Sequence, residues 1–149
     1  MRTLLLSVHI VCVAAWLGGN FTQMFLMRGF SAGDSVLAAA WFQGSAKMAK
    51  IYYSIAGVLL IVTGVGLVLN NDAWSFGSGF VTVGFVAVII GAVTGITFFG
   101  PRAERAAEEF ESGRAEDGRK SASSIGTMAM IDTAIVSIAL VAMVSHWQA

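Results

Sequence analysis

Four stretches of this chain stay apolar for about twenty residues each, and that feature narrows its possible folds to one class. They cover 4–27, 48–69, 80–100 and 125–147. At about 1.5 Å of rise per residue, some ~20 apolar residues in a helix cross the ~30 Å hydrocarbon core of a bilayer. Within hydrocarbon each backbone N–H and C=O must find its partner inside the protein, so an isolated apolar run of this length is read as helix. The connections are too short for a second domain. The expectation is a single all-α domain over 1–149, a polytopic membrane four-helix bundle. Composition agrees, with 56% hydrophobic residues, 12% charged residues and a mean hydropathy of +0.76. The first run is read as a span rather than a cleaved leader, because its apolar character continues past Gly19 to Met27.

The basic residues orient the bundle. Of nine Lys and Arg, eight fall in the connections after the first and third runs or, for Lys50, at the start of the second run: Arg28, Lys47, Lys50, Arg102, Arg105, Arg114, Arg119 and Lys120. Arg2 alone lies on the other side. Positive loops stay in the cytoplasm, which predicts both termini on the extracytoplasmic side of the cell membrane. Asp34 is placed to cap an interfacial extension of the second helix. Pro101 marks where the third helix leaves the membrane, residues 102–111 read as a short charged helix ended by Gly113, and 113–124 as a flexible linker.

The first span carries side chains that a lipid-facing helix would not choose. At ~100° per residue, His9, Trp16, Gln23 and Met27 fall nearly in line, with Cys12, Val13 and Asn20 beside them, so this stripe must face protein. Asp132 is the sole acidic residue within a span, and an intramembrane carboxylate needs a partner; Lys50 and Asn20 are the candidates. Met128, Ala139, Met143 and His146 share its helix face. The expected buried polar set is therefore Asn20, Gln23, Lys50 and Asp132.

Several function classes drop out. Net charge is zero and no basic run is interleaved with aromatics, so nucleic acid is not a partner. The single Cys12 forbids an internal disulfide, a CxxC pair or a thiolate zinc cage. Hydrolase and phosphate-loop motifs are missing. What remains is cofactor chemistry in the bundle. His9 and His146 both belong to the outer half, and an imidazole pair across a bundle can ligate haem iron. Gly57 and Gly64, then Gly77, Gly84 and Gly91, recur at seven-residue spacing, giving grooves that serve either close helix packing or a flat cofactor. Met24, Met27, Met48, Met128 and Met130 cluster toward the inner half, where thioethers suit Cu(I) or fill core space.

The pattern His9-x6-Trp16-Leu17-Gly18-Gly19, with Lys47 and Lys50 before Gly57 and Gly64 and a four-helix layout, resembles the HemJ/CopD-like membrane superfamily. That superfamily includes protoporphyrinogen oxidases of the HemJ type, copper-resistance membrane domains of the CopD type and small membrane proteins without assigned function. The resemblance implies haem b held by His9; Trp16 of the motif and the groove glycines Gly64 and Gly84 are the residues expected beside it, and the expected role is electron transfer or oxidase-like. It also implies an essential lysine on helix three, where 80–100 contains none. The alternatives are a copper-handling protein or a non-catalytic accessory subunit working with other membrane subunits in the lipid bilayer.

Overall fold

The computed structural model describes residues 1–146, with side chains as far as Ser145. Its elements are α1 (Arg2–Ala32), α2 (Ser35–Lys50), α3 (Tyr52–Leu69), α4 (Gly79–Thr94), a π-helical turn (Gly95–Phe99), α5 (Gly100–Glu111) and α6 (Ala115–His146). The 125–147 span reaches its last residue, Trp147, outside the described residues. The elements join into four rods, Arg2–Ala32, Ser35–Leu69, Gly79–Glu111 and Ala115–Ser145, each long and apolar enough to cross a membrane. Val11, Phe25, Ile55, Val62, Ile89 and Val141 are exposed on them, an apolar girdle that water solvates poorly and a bilayer solvates well.

Local chemistry explains where the rods start and bend. The Asp34 carboxylate accepts from the amides of Val36 at 2.8 Å and Leu37 at 3.3 Å, satisfying two orphan donors of α2. The pattern loosens at Ile51, yet its amide still bonds the Lys47 carbonyl at 2.9 Å, so α2 runs into α3. Pro101 does not stop the third rod. A proline in a helix lacks an N–H and crowds the carbonyl four residues earlier. The π-helical turn just ahead of it widens the ladder, with the Gly100 amide reaching Gly95, and the chain continues into α5.

The rods form a ring in chain order, each touching the next and α6 closing on α1. The end away from the termini, which carries most of the charge, is closely packed. There Ala38, Ala39 and Ala46 of α2 meet Ala103, Ala106 and Ala107 of α5, and Phe42 stacks on Phe110 at 5.8 Å with the rings 7° apart. Alanine lets two backbones approach, and the paired rings fill what remains. Toward the termini α3 and α4 touch far less. There α1, α3, α4 and α6 together line a cavity of about 600 Å³.

One segment departs from expectation. Gly113, at φ +76°, ends α5, but the predicted linker 113–124 is helical from Ala115 onward and forms the start of α6. Gly118, Ser121, Ala122 and Ile125 recur at helical spacing, and Gly118, Ser121 and Ala122 are buried. A Cβ on Gly118 would stand 2.7 Å from the Phe110 ring. Ser121 Oγ donates to Glu109 Oε2 at 2.6 Å, and Arg105 Nε donates to the other oxygen at 2.8 Å. This stripe is built of small and polar residues, so hydropathy alone does not reveal it.

Candidate functional site

The polar stripe of α1 faces protein, as its composition requires. Cys12, Trp16, Asn20 and Met27 are buried, and His9 and Gln23 half-buried. Its centre is Asp132 on α6, 6% exposed. Trp16 Nε1 donates to Asp132 Oδ2 at 3.2 Å, and Asn20 Nδ2 donates to the same oxygen at 2.8 Å. Asn20 Nδ2 also reaches Thr133 Oγ1 at 3.2 Å, while the Thr133 hydroxyl donates to the Ala129 carbonyl at 2.7 Å. These bonds fix the Asn20 amide with its nitrogen toward α6. Asn20 is therefore the partner expected for Asp132.

Lys50 is not. It is exposed, and its ammonium pairs with Glu104 of α5. At the membrane-water boundary a lysine stem gains more by staying in water beside a carboxylate than by burying its charge. Gln23 donates weakly to the Tyr53 hydroxyl at 3.4 Å.

Most glycine grooves are occupied by the chain's own side chains. The Trp16 indole lies between α3 and α4, where a Cβ would stand 3.4 Å from its ring on Gly57 and 2.6 Å on Gly91. A methyl on Gly84 would meet Met143 Cε at 2.2 Å. Gly57 and Gly91 thus serve packing, and an indole rather than a porphyrin fills the gap. Tyr53 completes the seat, edge-on to Trp16 at 5.5 Å.

His9 stands toward the termini, on the wall of the 600 Å³ cavity. Its Nδ1 lies 2.8 Å from Thr63 Oγ1. The Thr63 hydroxyl proton is committed to the Leu59 carbonyl at 2.6 Å, so Oγ1 accepts and His9 Nδ1–H donates. That tautomer leaves Nε2 with a free lone pair. Gly64 lies alongside the ring, its Cβ position 3.6 Å from His9 Cε1. The rest of the lining is apolar, including Leu67, Phe85, Val136 and Leu140, with Trp16 as floor and Gly84 and Met143 on the far walls.

The cavity lies within the ~300–1,000 Å³ range of cofactor pockets, is lined by apolar side chains and carries one anchored imidazole, His9, so its lining would suit haem b with His9 as the residue to hold it. The His146 side chain lies outside the described residues, so the second imidazole is not placed. Among the described residues no three His, Cys, Asp or Glu converge as a metal-binding group. Three of the methionines stand well apart in the fold. Met27 is built into the alanine core, Met130 is 53% exposed on the outer surface, and Met143 seats on Gly84.

Thr63, Thr133 and Tyr53 complete the site and were not singled out in the sequence. The signal was present for Thr63 alone: it is the one hydroxyl in the middle of an otherwise aliphatic run, 58–69. No protein-family model, curated protein or solved structure matches this chain.

Proposed function

We propose that this chain is a multi-pass protein of the cell membrane that holds haem b in the cavity nearest its termini through His9, in an electron-transfer or oxidase-like role. The observation that carries the reading is an imidazole held at Nδ1 by Thr63 on the wall of an apolar cavity of about 600 Å³. In this reading the charged end lies in the cytoplasm, by the eight-to-one distribution of basic residues. Haem b, when bound, supplies one-electron chemistry at iron.

The chain's own residues do the rest. Thr63 holds the tautomer and ring orientation, the role that outer partners of ligating histidines usually have. Gly64 leaves room beside the His9 ring, Gly84 seats Met143, and the aliphatic lining gives the cavity an apolar wall. Trp16 stands between the cavity and the Asp132 carboxyl group. On α6, Met143 is the described lining side chain with a sulfur donor, and together with His9 it would be able to hold the iron.

The test is purification in mild detergent from cells supplied with a haem precursor, followed by visible absorption and iron analysis. A Soret band with iron near one per chain supports the reading. A colourless, folded protein under those conditions contradicts it and leaves a structural or accessory role.

A further inference from the structure

Three of the four seams around the large cavity are closed by named contacts. Between α1 and α3, His9 meets Thr63 at 2.8 Å and the Tyr52 hydroxyl donates to the Ala15 carbonyl at 2.8 Å. Between α4 and α6, Met143 seats on Gly84. Between α3 and α4, the Phe85 ring reaches to 3.9 Å from the Cβ position of Gly64. The end toward the termini is covered by Trp74, with the Arg2 guanidinium 5.2 Å from the centre of its indole and Phe80 edge-on at 5.4 Å.

The seam between α1 and α6 differs. From Trp16 toward the charged end it is pinned: Trp16 and Asn20 bond Asp132, Met27 packs on Gly126, and Arg119 reaches the Ser31 carbonyl at 3.4 Å. Toward the termini, no hydrogen bond or ring contact joins 3–15 to 137–145 among the described residues. On each side stands a cavity-lining side chain that is also on the outer surface, Ile10 of α1 at 57% exposed and Val144 of α6 at 51%. A side chain that both lines a cavity and faces outward marks the rim of an opening. Val11, Ile138 and Val141 are exposed beside it, so the opening lies within the apolar girdle and faces hydrocarbon.

We infer that the α1–α6 seam is a lateral port through which the hydrocarbon chain of a membrane lipid enters the cavity. The chemistry of the lining selects that occupant. No described lining side chain is a carboxylate, ammonium or guanidinium, so a lipid headgroup finds no partner inside and stays at the membrane surface. Water would meet few polar groups on these walls, whereas a chain makes dispersion contacts with them and gives up no hydration on leaving the bilayer. The port is continuous with the lipid-facing surface, and the cavity floor is Trp16. This inference concerns the haem-free chain and does not rest on the haem reading: a protein that never takes up haem can still admit a lipid chain, and a haem protein can keep this seam shut.

The experiment places the haem-free full chain in vesicles of phosphatidylcholine whose acyl chains are either plain or brominated, bromine being a short-range quencher of indole fluorescence. Trp41→Phe, Trp74→Phe and Trp147→Phe together leave Trp16 as the sole fluorophore, and at 3% exposed it is shielded from the outer surface. The expected result is strong quenching of Trp16 in the brominated vesicles. Ile10→Phe with Val144→Phe, two exposed positions where added bulk narrows the port without entering the core, should at least halve it. If the triple variant fails to fold, the same rim pair is compared in the wild-type background, where the Trp16 part of the quenching should fall. Equal Trp16 fluorescence in plain and brominated vesicles overturns the inference, and so does quenching that the rim pair leaves unchanged in either background.

Discussion

Trp16 and Asp132, 116 residues apart in the chain, meet through a single hydrogen bond from indole Nε1 to carboxylate Oδ2 at 3.2 Å. That bond ties α1 to α6 at mid-bundle, and the indole it fixes lines both the large apolar cavity and the smaller space beside Asp132. Asn20 donates to the same oxygen. Trp16→Phe and Asn20→Ala should therefore each cost about 1–3 kcal/mol, the usual penalty for withdrawing a donor from a buried charged group. Because they share an acceptor, their effects should be coupled, and Trp16→Phe should cost less in an Asp132→Asn background. A double-mutant cycle in detergent measures this; strict additivity would show that the two donors act separately.

Gly91 tests the packing of the indole. Gly91→Ala places a methyl 2.6 Å from the Trp16 ring, which must shift, and a cost of about 1–3 kcal/mol is expected from overpacking. Gly44 is the matched control, since its Cβ would meet nothing within 4 Å. There alanine should be neutral or stabilising by up to ~1 kcal/mol, as helix propensity dictates. Similar unfolding midpoints for the two variants would mean that Trp16 is free to move.

The first turns of α6 provide a third test. Amides over 115–124 should be protected from hydrogen exchange, because the segment packs on α5 through Gly118, Ser121 and Ala122. Ser121→Ala should cost about 1–3 kcal/mol by removing a donor from buried Glu109. Fast exchange across the segment would restore the linker reading.

Residue patterns made some of this legible and hid the rest for physical reasons. Hydrophobic length revealed the four rods, since a membrane span must be apolar whatever it packs against. The placement of Asn20 opposite Asp132 followed from the same logic, because polar groups at that depth must find each other, whereas the Trp16 bond to Asp132 was not expected. Lys50 misled, since a lysine near a boundary has two ways to satisfy its charge and only the fold decides between them. The α2–α5 contact was illegible because alanines carry little hydropathy signal and packing density is a property of pairs. Glycine periodicity correctly marked close approach, but spacing cannot say whether an indole, a thioether or a cofactor fills the groove.

The most direct test of the haem reading is the reduced-minus-oxidised absorption spectrum of haem-loaded protein, recorded for wild type, His9→Ala and Cys12→Ala. Cys12 lies near His9 on α1 and is buried, but it does not line the cavity, so it controls for general damage to the helix. The account predicts a haem b spectrum in wild type and in Cys12→Ala, and its loss in His9→Ala with the bundle still folded. A wild-type spectrum that His9→Ala leaves unchanged would contradict it.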